Sequence, residues 1–159
     1  MNGSNAAKDT LGQITSYAAV QLSAQFRTHI YSILIVRNTA RILRWDRSGT
    51  IVTGAFDYDQ SPYLVEFFLW YSAALAAMRG KDETVSTPGR YEARKARKAL
   101  KLTSDIPIVQ LSVPGPNDTP HSFYVATPEA TAYTPPGRTT RAFSAYDPSS
   151  DKVVFLKDT

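Results

Sequence analysis

Lys157, near the end of the run Val153-Val154-Phe155-Leu156-Lys157, is the residue with the clearest chemical potential. Gly137 lies 20 residues before it, at the head of Gly137-Arg138-Thr139-Thr140-Arg141. A glycine-led loop lets a backbone approach phosphate groups without side-chain clash, and a strand-borne lysine behind it neutralises their charge. Only the first glycine of a Gly-x-Gly-x-x-Gly pattern is present, because Thr139 and Ala142 occupy the other two positions. On pattern alone, a plain surface hairpin with an exposed lysine is the favoured reading of these residues. A second concentration of charge is Arg90, Arg94, Lys95, Arg97, Lys98 and Lys101, opposed within the run only by Glu92. Such a run suits either a solvated helix face or a patch for an acidic partner. Arg94, Lys95, Arg97 and Lys98 are its candidate nucleic-acid contacts.

The elements that must position these groups follow from periodicity. Residues 10–27 predict a helix, with Thr10 and Gln13 as a capping box and Ile14, Tyr17, Ala18, Leu22 and Phe26 on one apolar face. Residues 29–37 and 40–46 predict two strands joined by a turn at Asn38-Thr39, and Thr50 to Phe56 a third. Ser61-Pro62 predicts a helix start, with the helix running to about Met78 on a core face of Leu64, Phe67, Phe68, Tyr71 and Leu75. Residues 89–101 predict the basic helix. Residues 106–113 pair with 122–127, and 140–146 with 152–157 across Asp147-Pro148-Ser149-Ser150. This order predicts an α+β fold, mainly antiparallel sheet with packed helices. Thr and Pro accumulate at 130–136 and mark a boundary, giving an accessory domain over 1–130 and a separate start over 131–159.

Composition bounds the chemistry. The chain has 159 residues, a net charge of +4, and seven Phe, two Trp and nine Tyr to fill a core. With no cysteine, disulfides, thiolate catalysis and cysteine-ligated metal are excluded. The polar N-terminal residues carry no signal-peptide pattern. The longest apolar run, Tyr63 to Met78, holds Glu66 and is short of the roughly 20 residues of a membrane span. The expectation is an intracellular protein, cytoplasmic or nuclear, with no membrane partner. His29 and His121 are distant in sequence, and no Gly-x-Ser-x-Gly accompanies them. Asp46-Arg47-Ser48-Gly49 reads as a turn, and Asp57 and Asp59 as acids ahead of a helix start.

Three segments in order, WDRSGTIVTGAFDY (45–58), GRTTRAFSAYD (137–147) and VVFLKDT (153–159), resemble the fungal-type protein kinase family. The resemblance runs from about Gly12 to the end. It implies a Ser/Thr protein kinase parent that uses ATP, and a partial kinase N-lobe hairpin over 131–159. By the same resemblance, Lys157 is the phosphate-binding lysine, and Gly137, Arg138, Thr139, Thr140 and Arg141 form the nucleotide loop. The His-Arg-Asp and Asp-Phe-Gly motifs that supply a kinase's base and metal site do not occur in the sequence. The expectation is an N-terminal portion, inert in phosphoryl transfer by itself, that works with a protein partner or the remainder of a kinase. Gln13 and Tyr17, four apart on one helix face, are similar to the accessory helix of restriction-endonuclease-like nucleases. No Glu-x-Lys or Asp-x-Lys accompanies them, so this likeness implies at most a remnant of that fold.

Overall fold

The computed structural model describes residues 3–115, 119–126 and 141–158. It is α+β, with two antiparallel sheets and three helices among those residues. They form two compact units that divide between Asp82 and Glu83.

In the first unit, α1 (Gly3–Ala24) is followed by β1 (His29–Val36), β2 (Thr39–Asp46), β3 (Thr50–Val52), β4 (Phe56–Asp57) and α2 (Tyr63–Ala73). The β1–β2 register pairs Ile30 with Trp45 and Ser32 with Leu43, so side-chain alternation puts Ile30, Leu43 and Trp45 on one face. Ala18 and Leu22 of α1 close over that face, and all five are buried. Tyr31 points to the other face and meets α2 through Phe67, Trp70 and Tyr71, with ring centroids 5.5, 5.7 and 5.9 Å away. One helix therefore covers each face of the β1–β2 hairpin.

The second unit is a meander in which β5 (Val85–Ser86), β6 (Val109–Pro114), β7 (Pro120–Val125), β8 (Arg141–Asp147) and β9 (Lys152–Asp158) lie side by side in sequence order. Helix α3 (Arg90–Ala99) joins β5 to β6 and packs its alanine face, Ala93, Ala96 and Ala99, against Ile108, Tyr124 and Tyr146. Alanine lets the helix backbone approach the sheet closely while costing little side-chain entropy.

Several expectations are corrected. Helix α1 begins at Gly3, so Thr10 and Gln13 sit inside it rather than capping it. The β1–β2 turn is Arg37-Asn38, since Val36 pairs with Thr39. The third strand is broken between β3 and β4. Helix α2 ends at Ala73, where Ala74 turns extended. Its N-cap is Pro62, whose ring has no polar group to cap with, and the Ser61 hydroxyl donates to the Asp57 carbonyl. Phe68 and Leu75, expected in the core, are exposed. Apart from these corrections, the closing hairpin β8–β9 lies in one sheet with β5–β7.

Candidate functional site

The turn of the closing hairpin is built on Asp147, which is 8% exposed. Its Oδ1 accepts the Ser149 N–H at 2.9 Å, the Ser149 hydroxyl at 2.7 Å and His121 Nε2 at 3.0 Å. Its Oδ2 accepts the Ser150 hydroxyl at 2.7 Å. These bonds, the two serine hydroxyls foremost, hold the carboxyl far below the usual carboxylate range. Ser, His and Asp thus meet here, but in the wrong order for nucleophilic catalysis. An activated serine must deliver its proton to the imidazole. Both hydroxyls here donate to the carboxylate, so the cluster latches β7 to the β8–β9 turn. The Asx turn at Asp147 was legible in Asp-Pro-Ser-Ser. The partnership with His121 depends on sheet register and was not.

Lys157 lies on β9, the third strand of the meander β7–β8–β9, opposite Ala142. Alternation places it on the same face as Tyr146, the face that α3 covers. Its side chain is exposed, with no ion pair among the described residues. Gly137, Arg138, Thr139 and Thr140 lie outside the described residues. Arg141 is not a loop residue. It opens β8, is 3% exposed, and its guanidinium stands 6.0 Å from the Phe143 ring centroid. Neighbouring strand residues point to opposite faces, and Ala142 shares its face with Lys157. Arg141 and Lys157 therefore diverge and cannot grip one phosphate together.

The four basic candidates on α3 separate into two kinds. Lys95 Nζ is 3.1 Å from Asp151 Oδ1 and 5.5 Å from the Tyr146 ring centroid. The Tyr146 hydroxyl donates to the same Asp151 oxygen at 2.5 Å. Tyr146 and Asp151 together raise the Lys95 ammonium above its usual value. Arg97 Nε donates to the Ile106 carbonyl at 3.0 Å. Lys95 and Arg97 thus fasten α3 to the hairpin turn and to the segment that follows the helix. Arg94 and Lys98 are exposed, as are Arg90 and Lys101. The helix ends in a Schellman motif, with Leu102 N–H donating to Arg97 O and Lys101 N–H to Lys98 O. Lys101 occupies the left-handed position at φ 56°.

In the first unit, Gln13 Nε2 donates to the Tyr17 hydroxyl at 2.9 Å, and Tyr17 is 65% exposed, so it is not a core residue. Asp46 Oδ1 accepts the Ser48 and Gly49 N–H groups at 2.9 and 3.1 Å, while Oδ2 meets Arg44 Nη1 at 2.6 Å. Burial pushes the Asp46 carboxyl up, but these bonds outweigh it and leave it lowered. Asp57 is similarly occupied, accepting from Asp59, Gln60 and Asn38. Among the described residues no group of three or more His, Asp or Glu is placed to hold a metal ion. No helix among them is long and apolar enough to cross a membrane. No family model matches the chain, and neither does any curated protein or solved structure.

Proposed function

We propose that the chain is a binding module carrying the opening strands of a kinase-type nucleotide lobe. Lys157 is the group that meets the phosphates of ATP, and a protein partner or the remainder of a kinase supplies the chemistry. The observation that carries this reading is the meander β7–β8–β9, with an exposed lysine on its third strand and the Gly137–Thr140 stretch between its first and second. A lysine on that strand, near the start of the strand that leaves the glycine-led stretch, is where phosphate charge needs a counter-ion. Arg141, buried on the other face, takes no part.

In the same reading the first unit is an inert remnant of a restriction-endonuclease-like fold, a view supported only by the bonded Gln13–Tyr17 pair on α1. The protein works inside the cell. By itself it transfers no phosphoryl group, since the sequence offers neither a His-Arg-Asp base nor an Asp-Phe-Gly metal site.

The test is an acyl-phosphate derivative of ATP, which acylates a lysine amine held at its phosphates and releases ATP. Peptide mapping is expected to find Lys157 labelled ahead of the equally exposed Lys152, with labelling suppressed by excess ATP. Uniform labelling of exposed lysines, indifferent to ATP, would sink the nucleotide assignment. Transfer of the ATP γ-phosphate by the chain alone would sink the claim of inertness.

A further inference from the structure

The structure redraws the basic patch of α3, and the redrawn patch has a different use from the nucleotide face. At 100° per residue, the helix divides into sectors. Ala93, Ala96, Ala99 and Leu100 occupy one side and are consumed in packing against the sheet. Lys95 and Arg97 border that side and are held by Asp151 and the Ile106 carbonyl. The opposite side carries Arg90, Arg94 and Lys98, each one turn from the next, continued by Lys101 at the C-terminal cap. All four are exposed, and among the described residues none is in an ion pair. Tyr91, 65% exposed, stands beside Arg94 on the same sector. The fold engages two of the six cations in its own assembly, Lys95 through an ion pair and Arg97 through a hydrogen bond to a carbonyl, and leaves a row of four facing solvent.

We infer that this row, Arg90, Arg94, Lys98 and Lys101, docks the phosphodiester backbone of a nucleic acid, with Tyr91 available to stack on a base. Charge complementarity selects a polyanion. The even, one-turn spacing of point charges suits a polymer with one charge per repeat. An anionic membrane is the poorer fit. A surface-lying helix must give its apolar face to the acyl chains, and the apolar face of α3 is already committed to Ile108, Tyr124 and Tyr146. Exposed aromatics beside cations are the pairing that single-stranded nucleic acid uses.

Fluorescence anisotropy with the full chain and a labelled mixed-sequence oligonucleotide, single-stranded in one arm and duplex in the other, tests this. Four phosphate contacts give a log–log salt slope of about −2.8 for a single strand, or about −3.6 for a duplex. Between 50 and 200 mM salt, affinity is then expected to fall about 50-fold and about 150-fold respectively. The double variant Arg94→Gln/Lys98→Gln is expected to halve the slope, leaving about a 7-fold loss for the single strand over the same range. Its circular dichroism melt is expected to match wild type, because both side chains are exposed. Lys81→Gln/Lys152→Gln removes the same net charge elsewhere and is expected to leave the slope intact. The inference is overturned if neither oligonucleotide binds, or if the Arg94/Lys98 variant keeps the wild-type slope. Equal damage from the Lys81/Lys152 variant also overturns it, since net charge alone would then explain binding. So does displacement of the oligonucleotide by phosphatidylserine vesicles or polyglutamate at equivalent charge, which would assign the row to a membrane or an acidic protein.

Discussion

Gly80→Ala is the substitution whose cost the structure fixes most closely. Gly80 has φ +90°, and a Cβ built on it falls 1.9 Å from the His29 carbonyl oxygen and 2.9 Å from its carbon. Neither neighbour can yield cheaply. Thr28 N–H donates to Gly80 O at 3.0 Å, His29 Nε2 to Met78 O at 3.0 Å, and Arg27 Nη1 to Arg79 O at 2.9 Å. Alanine at positive φ costs about 1–2 kcal/mol. Separating the two backbones by more than 1 Å sacrifices at least one of these bonds, each about 0.5–1.5 kcal/mol. The expected loss is about 2–4 kcal/mol, which for a unit of this size lowers the melting midpoint by roughly 10–25 °C. Thermal and urea unfolding followed by circular dichroism measure it. Gly54→Ala is the internal control, since nothing lies within 4 Å of its Cβ position. It should stay within about 0.5 kcal/mol of wild type. A Gly80→Ala protein as stable as Gly54→Ala would refute the reasoning, because it would mean the Thr28–Gly80 crossing is not closely held.

Other outcomes follow from the same structure. Lys101→Gly should stabilise the second unit by about 1 kcal/mol in urea unfolding, because a glycine meets the left-handed cap without a Cβ penalty. Gly12→Ala, in the interior of α1 with open space around it, should add about 0.8 kcal/mol by raising helix propensity. Asp147, Asp46 and Asp151 all have carboxyls lowered by their partners in the fold. Their stabilisation is complete above the unfolded carboxylate value of about 4 and drains away as pH falls below it toward the lowered folded values. An acid titration of stability should show that decline, and Asp147→Asn should flatten it. Tyr146→Phe removes the hydroxyl bound to Asp151, so carboxyl NMR should find the Asp151 titration displaced upward.

What the sequence revealed and what it hid divides along the range of the interactions. The β1–β2 pairing was readable because apolar run and alternation are local properties. The turn between them was misplaced by one residue, and Arg37 adopts φ 57° to close it, a conformation that no local preference of arginine announces. Helix α2 was extended too far because Leu75 and Met78 continue the apolar pattern. The chain leaves the helix at Ala74 and reaches Gly80, whose carbonyl meets Thr28, and that demand comes from 52 residues away. Strand β5, two residues long, has no periodicity to detect. The basic helix was legible as a helix, but six similar cations gave no hint of which would be held by the fold. Asp151 and the Ile106 carbonyl made that selection through tertiary packing. Spacing alone puts Tyr17 on the apolar face of α1. It is 65% exposed because a helix packed by Ala18 and Leu22 shows a narrow apolar stripe.

The meander has a kinetic corollary. Strands β8 and β9 pair along seven residues, from Arg141 with Asp158 to Asp147 with Lys152. Among the described residues β8 meets β7 only through Tyr124 with Tyr146 and Val125 with Ala145, positions 22 and 20 apart in sequence. Closing that longer span costs more chain entropy than closing the four-residue turn at 148–151. The terminal hairpin can therefore form first and join the sheet late, and amide exchange should find it opening as one unit. Lys157 rides on that hairpin, so a ligand held at its ammonium would also oppose the opening of β8 and β9 as a unit.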